Sequence, residues 1–299
     1  MPQILVLTDR PQEDERIVFP VAEWADRLGA DGVAAVVTRS VDAVLPMGLS
    51  FGIPDAVLLP QQMLPWPLLM DGNDVAAAER WFDLCRQAAA LYGLNCETVF
   101  ASTSLRRTVV TLASVAGLVV ISRETMLNHG ERVLLVTLRS EVAAPFLICP
   151  TDATSWKRIV VATWNIAHRD KLLAWGGHWS RQFDVPLATI ELRSPPRRSA
   201  WSAVTHWLPW SFPRQHRETL REGLLAYGLG PSDLLLINRQ PAVWQFPANA
   251  CEASLDDLVT AAPCSLGVAA TSSITATREL LYPHGLAHAN EAALGIVAA

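Results

Sequence analysis

The chain has 299 residues, of which 51% are hydrophobic, and it carries a formal net charge of −5 at pH 7. Its length suggests about two domains, and its acidic balance argues against a general nucleic-acid-binding protein, which would carry a basic surface. Its apolar runs are far shorter than the ~20 residues that a membrane-spanning helix needs.

The first half alternates apolar strand patterns with amphipathic helix patterns. The predicted strands are residues 3–8, 33–37, 98–101, 118–121 and 146–149, and the predicted helices are residues 17–29, 74–94 and 104–115. Between the second strand and the second helix, residues 41–73 are rich in proline and are predicted to form a long irregular excursion. Continuous apolar strands that alternate with helices predict a parallel sheet covered on both faces.

The same alternation starts again after residue 158. The predicted strands of the second half are residues 159–162, 187–190, 234–237 and 265–268, and its predicted helices are residues 167–183, 218–227 and 255–261. The long helix and short strand of the first half have no counterpart here, and residues 195–217 occupy their place. This pattern predicts a first domain at 1–153, a second domain at 154–275 and a C-terminal tail at 276–299.

Three short segments of the first half recur in the same order in the second half. The matching pairs are Ile4–Asp9 with Ile159–Trp164, Ala116–Arg123 with Ser232–Arg239, and Val142–Pro145 with Thr260–Pro263. Matches in the same order indicate an internal duplication, so the chain is predicted to be a tandem repeat of one fold.

These motifs resemble those of the universal stress protein family in its tandem two-domain form. The likeness rests on Asp9 at the end of the first strand, on Asn238-Arg239 after a fourth strand, and on Ala262-Pro263-Cys264 before a last strand. The resemblance implies a stress-response function and an α/β fold of two Rossmann-like domains, each built on a five-stranded parallel sheet, with the second domain shortened. It also implies an intramolecular pseudo-dimer joined through the last strands, residues 146–149 and 265–268, whose apolar edges would be costly to leave exposed.

The glycine pattern departs from that of the family's ATP-binding members. Those members carry a G-x-x-G loop after the fourth strand, where glycines let backbone N–H groups approach phosphate oxygens. This chain has one glycine, Gly130, in the stretch after Arg123, and Trp244 between prolines after Arg239. The ATP-binding motif is therefore degenerate, and we predict that ATP or another adenine nucleotide binds weakly in the first domain or not at all. The cofactor-binding candidates, which would border the crevice at the carboxyl ends of the strands, are Asp9, Ser122, Arg123 and Gly130.

Residues 195–217 combine arginines with large aromatic side chains and contain no acidic residue. Such a basic aromatic patch suits a membrane surface or an acidic protein partner. The partner-binding candidates are Arg197, Arg198, Trp207, Trp210 and Arg214. In the alternative interpretation, the aromatic side chains cover the sheet where the helix is missing. We then expect at least two of Trp201, Trp207 and Trp210 to be buried against the second domain.

The sequence contains no motif specific to an enzyme. H-E-x-x-H, P-loop and G-x-G-x-x-G patterns are missing, and the G-x-S-x-G pattern at residues 48–52 lies within the proline-rich excursion rather than between a predicted strand and a helix. His284, His288 and Glu291 have the spacing of metal ligands on one helix face, but Pro283 and Gly285 disfavour a helix there. We therefore assign neither a catalytic residue nor a metal.

The five cysteines include no C-x-x-C pair, which is typical of reduced thiols in the cytoplasm. Met1 leads directly into an apolar strand pattern, without the features of a secretory signal. We therefore expect a cytoplasmic protein.

Three functions stay open at this point. The first is a non-catalytic regulatory or interaction module of the stress response, in which ATP binding is weak or lost and the partner is an unknown protein rather than nucleic acid. The second is a nucleotide- or small-ligand-binding protein with one site in the first domain. The third is an enzyme of unknown chemistry. A further homodimer of the whole chain also stays open.

Overall fold

The computed structural model describes residues 3–39, 72–128, 138, 141–153, 155–163, 166–191, 213–239, 243–246 and 251–269. The strands of the first half are β1 (Ile4–Thr8), β2 (Gly32–Arg39), β3 (Asn95–Ser104), β4 (Leu118–Ser122) and β5 (Phe146–Cys149). Its helical elements are a 3-10 turn (Asp14–Ile17), α1 (Val18–Arg27), α2 (Gly72–Leu91), α3 (Leu105–Ala113) and α4 (Arg123–Asn128).

The second half repeats this alternation, with fewer elements among its described residues between its second and fourth strands. Its strands are β6 (Arg158–Thr163), β7 (Leu187–Glu191), β8 (Asp233–Asn238), β9 (Val243–Phe246), β10 (Cys251–Ser254) and β11 (Ser265–Ala269). Its helices are α5 (Ile166–Phe183), α6 (Pro213–Ala226) and α7 (Leu255–Ala261). α4 and the β9–β10 pair were not predicted, because both are too short to show a period. α6 begins before the predicted start at residue 218, since the basic stretch that precedes this residue carries no apolar face.

Nine strands form one sheet in the order β3-β2-β1-β4-β5-β11-β8-β6-β7. Neighbouring strands are parallel throughout, except that β5 and β11 are antiparallel. β9 and β10 form a separate antiparallel pair. Within the described ranges, the first half contributes five strands to the large sheet and the second half contributes four. The predicted α/β class with Rossmann-like parallel sheets is confirmed.

The two halves meet through their last strands. β11 runs against β5 with Val268 opposite Phe146 and Leu266 opposite Ile148. Every side chain of β5 is buried, and so are the first four of β11. The expected pairing of residues 146–149 with 265–268 is therefore present, and it hides two apolar edges that would otherwise invite association with other chains.

Helices cover both faces of the sheet. Along β1, Ile4 and Val6 face a core layer formed with α1, α2 and α5, whereas Leu5 and Leu7 face a layer formed with α3, α6 and α7. Successive side chains of a strand point to opposite faces, so a strand buried on both sides reads as an unbroken apolar run. No helix in the described part of the chain is long and apolar enough to cross a membrane.

A tryptophan stack joins the halves on one face of the sheet. Trp156, in the connection between the halves, lies between Trp24 of α1 and Trp179 of α5, with ring centroids 4.5 Å and 5.5 Å away. The ring of Phe183 packs on Trp156 at 4.7 Å, and the Arg27 guanidinium lies over Phe183 at 5.4 Å from its centroid. Residues from both halves thus share one aromatic core.

We expect Gly267→Ala to destabilise the protein by about 1–3 kcal/mol, because a Cβ at this position of β11 would overpack the core. That atom would lie 2.5 Å from Leu236 Cδ2 and 3.6 Å from the Trp175 ring. Gly230→Ala is the matched control, since a Cβ there meets no atom within 4 Å. Equal unfolding midpoints for the two variants in urea would contradict this account of the packing.

Candidate functional site

The carboxyl ends of β1 and β4 lie side by side in the first half. The register pairs Leu7 with Ile121, so Thr8 and Ser122 end neighbouring strands at the same edge. From β1 the sheet continues through β2 to β3 in one direction, and through β4 to β5 in the other. Open α/β sheets bind ligands in the crevice outside the strand ends where the order reverses in this way.

The structure places two of the predicted site residues at this edge. Ser122 is 2% exposed, and its Oγ accepts a hydrogen bond from the Thr125 N–H at 3.0 Å, which caps the start of α4. Asp9 follows β1 and is partly exposed, although its carboxylate oxygens are buried. Gly130 lies outside the described residues.

Asp14 is the central residue of the site, and the sequence analysis missed it. It is 1% exposed and begins the 3-10 turn that follows β1. Its Oδ2 accepts a hydrogen bond from Thr125 Oγ1 at 3.2 Å, and its backbone oxygen accepts one from Trp81 Nε1 at 3.3 Å. Its Oδ1 has no hydrogen-bond partner of good geometry in the described ranges. One residue therefore links β1, α2 and α4, while one of its buried oxygens accepts no hydrogen bond of good geometry in these ranges.

Burial raises the pKa of Asp14 from 3.8 to about 6. The hydroxyl groups of Thr8, Ser122 and Thr125 oppose this shift because they stabilise the carboxylate, whereas the nearby Asp9 adds to it. Desolvation is the largest cause, since burial removes the carboxylate from water and favours its neutral form. The site is thus a buried acidic pair surrounded by hydroxyl groups.

A signal for Asp14 was present in the sequence. Asp14 lies between Glu13 and Glu15, and a run of acidic residues normally marks a solvated loop. Counting on from Asp14, however, Ile17, Val18 and Val21 follow at helical spacing and are all buried. An acidic residue in phase with an apolar face indicates a buried carboxyl group.

Arg123, the third predicted residue, reaches into the other half. Its guanidinium donates a hydrogen bond to the backbone oxygen of Cys264 at 2.6 Å, just before β11. The equivalent Arg239, at the end of β8, donates to the backbone oxygens of Val142 and Ala144, just before β5, the latter at 2.9 Å. Both arginines of the repeated motif therefore hold the last strand of the opposite half.

The corresponding edge of the second half carries different polar residues at its strand ends. β6 and β8 end in Thr163 and Asn238, which are 6% and 7% exposed. Trp164, the sequence counterpart of Asp9, lies outside the described residues. A hydroxyl and an amide thus mark the described part of this edge, where the first half has Thr8 and Ser122 next to a buried acid.

The predicted partner-binding patch cannot be placed on the structure. Arg197, Arg198, Trp207 and Trp210 lie outside the described residues, as does Trp201, and Arg214 is placed only as a backbone position within α6. The burial of these tryptophans and the exposure of the arginines stay predictions. The tail with His284, His288 and Glu291 also lies outside. In the described ranges, no cluster of three or more His, Cys, Asp or Glu side chains suits a metal ion.

Comparisons with known proteins support the fold. No protein-family profile and no curated protein matches the chain. Among solved structures, a universal stress protein from Archaeoglobus fulgidus DSM 4304 superposes with a TM-score of 0.51 at 9% identity, covering 90% of this chain and 96% of that one. A universal stress protein from Archaeoglobus fulgidus in complex with dAMP covers 50% of this chain and 97% of that one, at 15% identity and a TM-score of 0.31. The chain therefore has a universal stress protein-like fold, continued through both halves in one nine-stranded sheet.

Proposed function

We propose that the protein is a non-catalytic regulatory module that holds a small ligand in the crevice between β1 and β4 of its first half. The observation that carries the proposal is the Asp14 carboxyl group, which is 1% exposed and whose buried Oδ1 has no hydrogen-bond partner of good geometry among the described residues. Buried polar groups are nearly always hydrogen-bonded, and leaving one unpaired costs free energy. Buried acids with raised pKa values concentrate at functional sites, and a bound donor would satisfy this one.

Two features favour a binding role over a catalytic one. The hydroxyl groups next to Asp14 surround an acid, and none is paired with a histidine or lysine base by a hydrogen bond that the structure describes. The thiols of Cys149 and Cys264 are fully buried. Burial raises the pKa of both thiols, that of Cys264 to about 12, so neither is a nucleophilic thiolate at neutral pH.

The wider role follows from the sequence features described above. We propose a cytoplasmic stress-response protein whose contact with an unknown protein partner depends on whether its ligand is bound. The basic aromatic patch at 195–217 is the candidate contact for an acidic protein or a membrane surface. The second half then acts as the intramolecular partner of the first rather than as a second ligand site.

The test is mass spectrometry of small molecules released from the purified full-length protein. We expect a bound molecule in near-stoichiometric amount, lost from Asp9→Ala and retained by Asp26→Ala, because Asp26 is exposed on α1. Protein that carries no molecule and gains no thermal stability from a metabolite panel would favour an interaction module without a ligand.

We expect ATP to bind weakly or not at all, with any residual binding dependent on Asp9. The phosphate-approaching glycines are missing from the sequence, and the N–H of Thr125 at the start of α4 is already bonded to Ser122. Isothermal titration calorimetry at neutral pH provides the measurement. Micromolar ATP affinity that Asp9→Ala leaves unchanged would contradict this expectation.

A further inference from the structure

We infer that the β1–β4 crevice selects an uncharged or cationic ligand group with N–H or O–H donors and rejects phosphate, and that Asp14 is the residue that sets this preference. The inference rests on the proposed ligand-binding function of the same site. It goes further by naming the ligand chemistry and the group that discriminates.

The polar atoms of the site call for a donor. An ionised carboxylate only accepts hydrogen bonds. The hydroxyl groups of Thr8 and Ser122 lie near the Asp14 carboxylate, but its buried Oδ1 accepts no bond of good geometry in the described part of the chain. Thr125 Oγ1 already occupies Oδ2. A ligand amine or hydroxyl would donate a hydrogen bond to Oδ1. A phosphate oxygen at the same place is itself an acceptor, so it would be repelled by the carboxylate oxygen.

The charges of the site oppose an anion. Asp9 is close enough to Asp14 to act on it electrostatically, so a ligand phosphate would enter beside two acidic groups. Arg123 begins α4 next to the end of β4, and one Nη of its guanidinium donates to the backbone oxygen of Cys264 in the other half. Repulsion between like charges is strong where water is excluded.

The backbone near the site offers little to a phosphate. Anion sites at the start of a helix depend on free N–H groups, but the Ser122 side chain already accepts from the N–H of Thr125. The first turn of α4 also carries Glu124, which adds negative charge there. The charges, the hydrogen-bonding atoms and the capped backbone N–H of the site therefore all disfavour a phosphate and favour a ligand group that donates hydrogen bonds.

The experiment uses adenosine and AMP as a matched pair of probes for the full-length protein. Both present the same adenine amine and the same 2′- and 3′-hydroxyl donors, but AMP carries a phosphate in place of the 5′-hydroxyl, so the ratio of their affinities reports the replacement of a neutral donor by a charged acceptor group. We expect adenosine to bind at least about tenfold more tightly than AMP at pH 7.5 by calorimetry. In Asp14→Asn, which keeps the side-chain shape and an acceptor oxygen, that ratio should fall to about threefold or less.

Asp26→Asn makes the same chemical change at an exposed position of α1 and should leave the ratio unchanged. Circular dichroism confirms that each variant is folded. AMP binding as tight as adenosine binding, or a ratio that Asp14→Asn does not move, would overturn the inference while the ligand-binding proposal stands.

If neither probe binds, the molecules released from the purified protein decide. A neutral or cationic donor supports the inference, and a phosphate ester overturns it. If the protein releases no molecule, the inference and the proposed function both fail.

Discussion

Replacing Trp156 with alanine is expected to lower the free energy of unfolding by about 3–5 kcal/mol, the usual range for removing a large buried aromatic ring. Trp156 is 3% exposed and stacks between Trp24 and Trp179 with centroid distances of 4.5 Å and 5.5 Å. Its loss would open a cavity between α1 and α5 and remove contacts to both halves at once. Guanidinium denaturation followed by far-ultraviolet circular dichroism measures the change.

Phe19→Ala is the control for this experiment. Phe19 also lies on α1, but it is 43% exposed, so its truncation should change stability by only about 0.5 kcal/mol. Near-ultraviolet circular dichroism adds a local signal, because the rings of Trp24 and Trp156 are only 17° from parallel. A loss below about 1 kcal/mol in Trp156→Ala would mean that the stack does little to join the halves.

Replacing Asp14 with asparagine is expected to stabilise the protein at neutral pH by about 3 kcal/mol. The pKa of Asp14 is raised from 3.8 in the unfolded chain to about 6 in the folded protein, and each unit of difference corresponds to about 1.4 kcal/mol. The native state therefore favours the neutral carboxyl group. The stability that this preference provides is fully present below about pH 3.8 and is lost as pH rises through about 6.

Urea denaturation from pH 4 to pH 7.5 tests this linkage. The wild-type protein should lose stability relative to Asp14→Asn between pH 4 and pH 6.5, and the difference should be constant above that range. Asp26→Asn, at an exposed position of α1, should follow the wild-type curve. Parallel curves for wild type and Asp14→Asn would show that Asp14 titrates normally in the folded state.

The architecture was readable from the sequence because buried parallel strands are continuous apolar runs. β1, β4 and β8 appear as such runs, and their order in the two halves predicted the duplication, and the family resemblance then implied the pairing of β5 with β11. β3 was less visible: it was predicted at 98–101 but spans Asn95–Ser104. Its alternation of partly and fully exposed residues reflects its place at the edge of the sheet.

Only part of the candidate site could be predicted from the sequence. Strand ends are local features, so Asp9 and Ser122 could be predicted. Asp14 could not be recognised as buried among acidic neighbours until Trp81 and Thr125, from distant parts of the chain, were placed against it. The bond of Arg123 to Cys264 spans even more of the sequence, and a local motif cannot specify a partner in the other repeat.

The reciprocal bonds of the two arginines limit how the chain can be divided. The backbone oxygen of Cys264 accepts a hydrogen bond from Arg123, and that of Ala144 accepts one from Arg239. Each half therefore holds the final strand of the other through an arginine hydrogen bond. The predicted boundary near residue 153 therefore separates two halves that exchange hydrogen bonds across it. Either half expressed alone would lose these bonds and expose the apolar edge of its last strand.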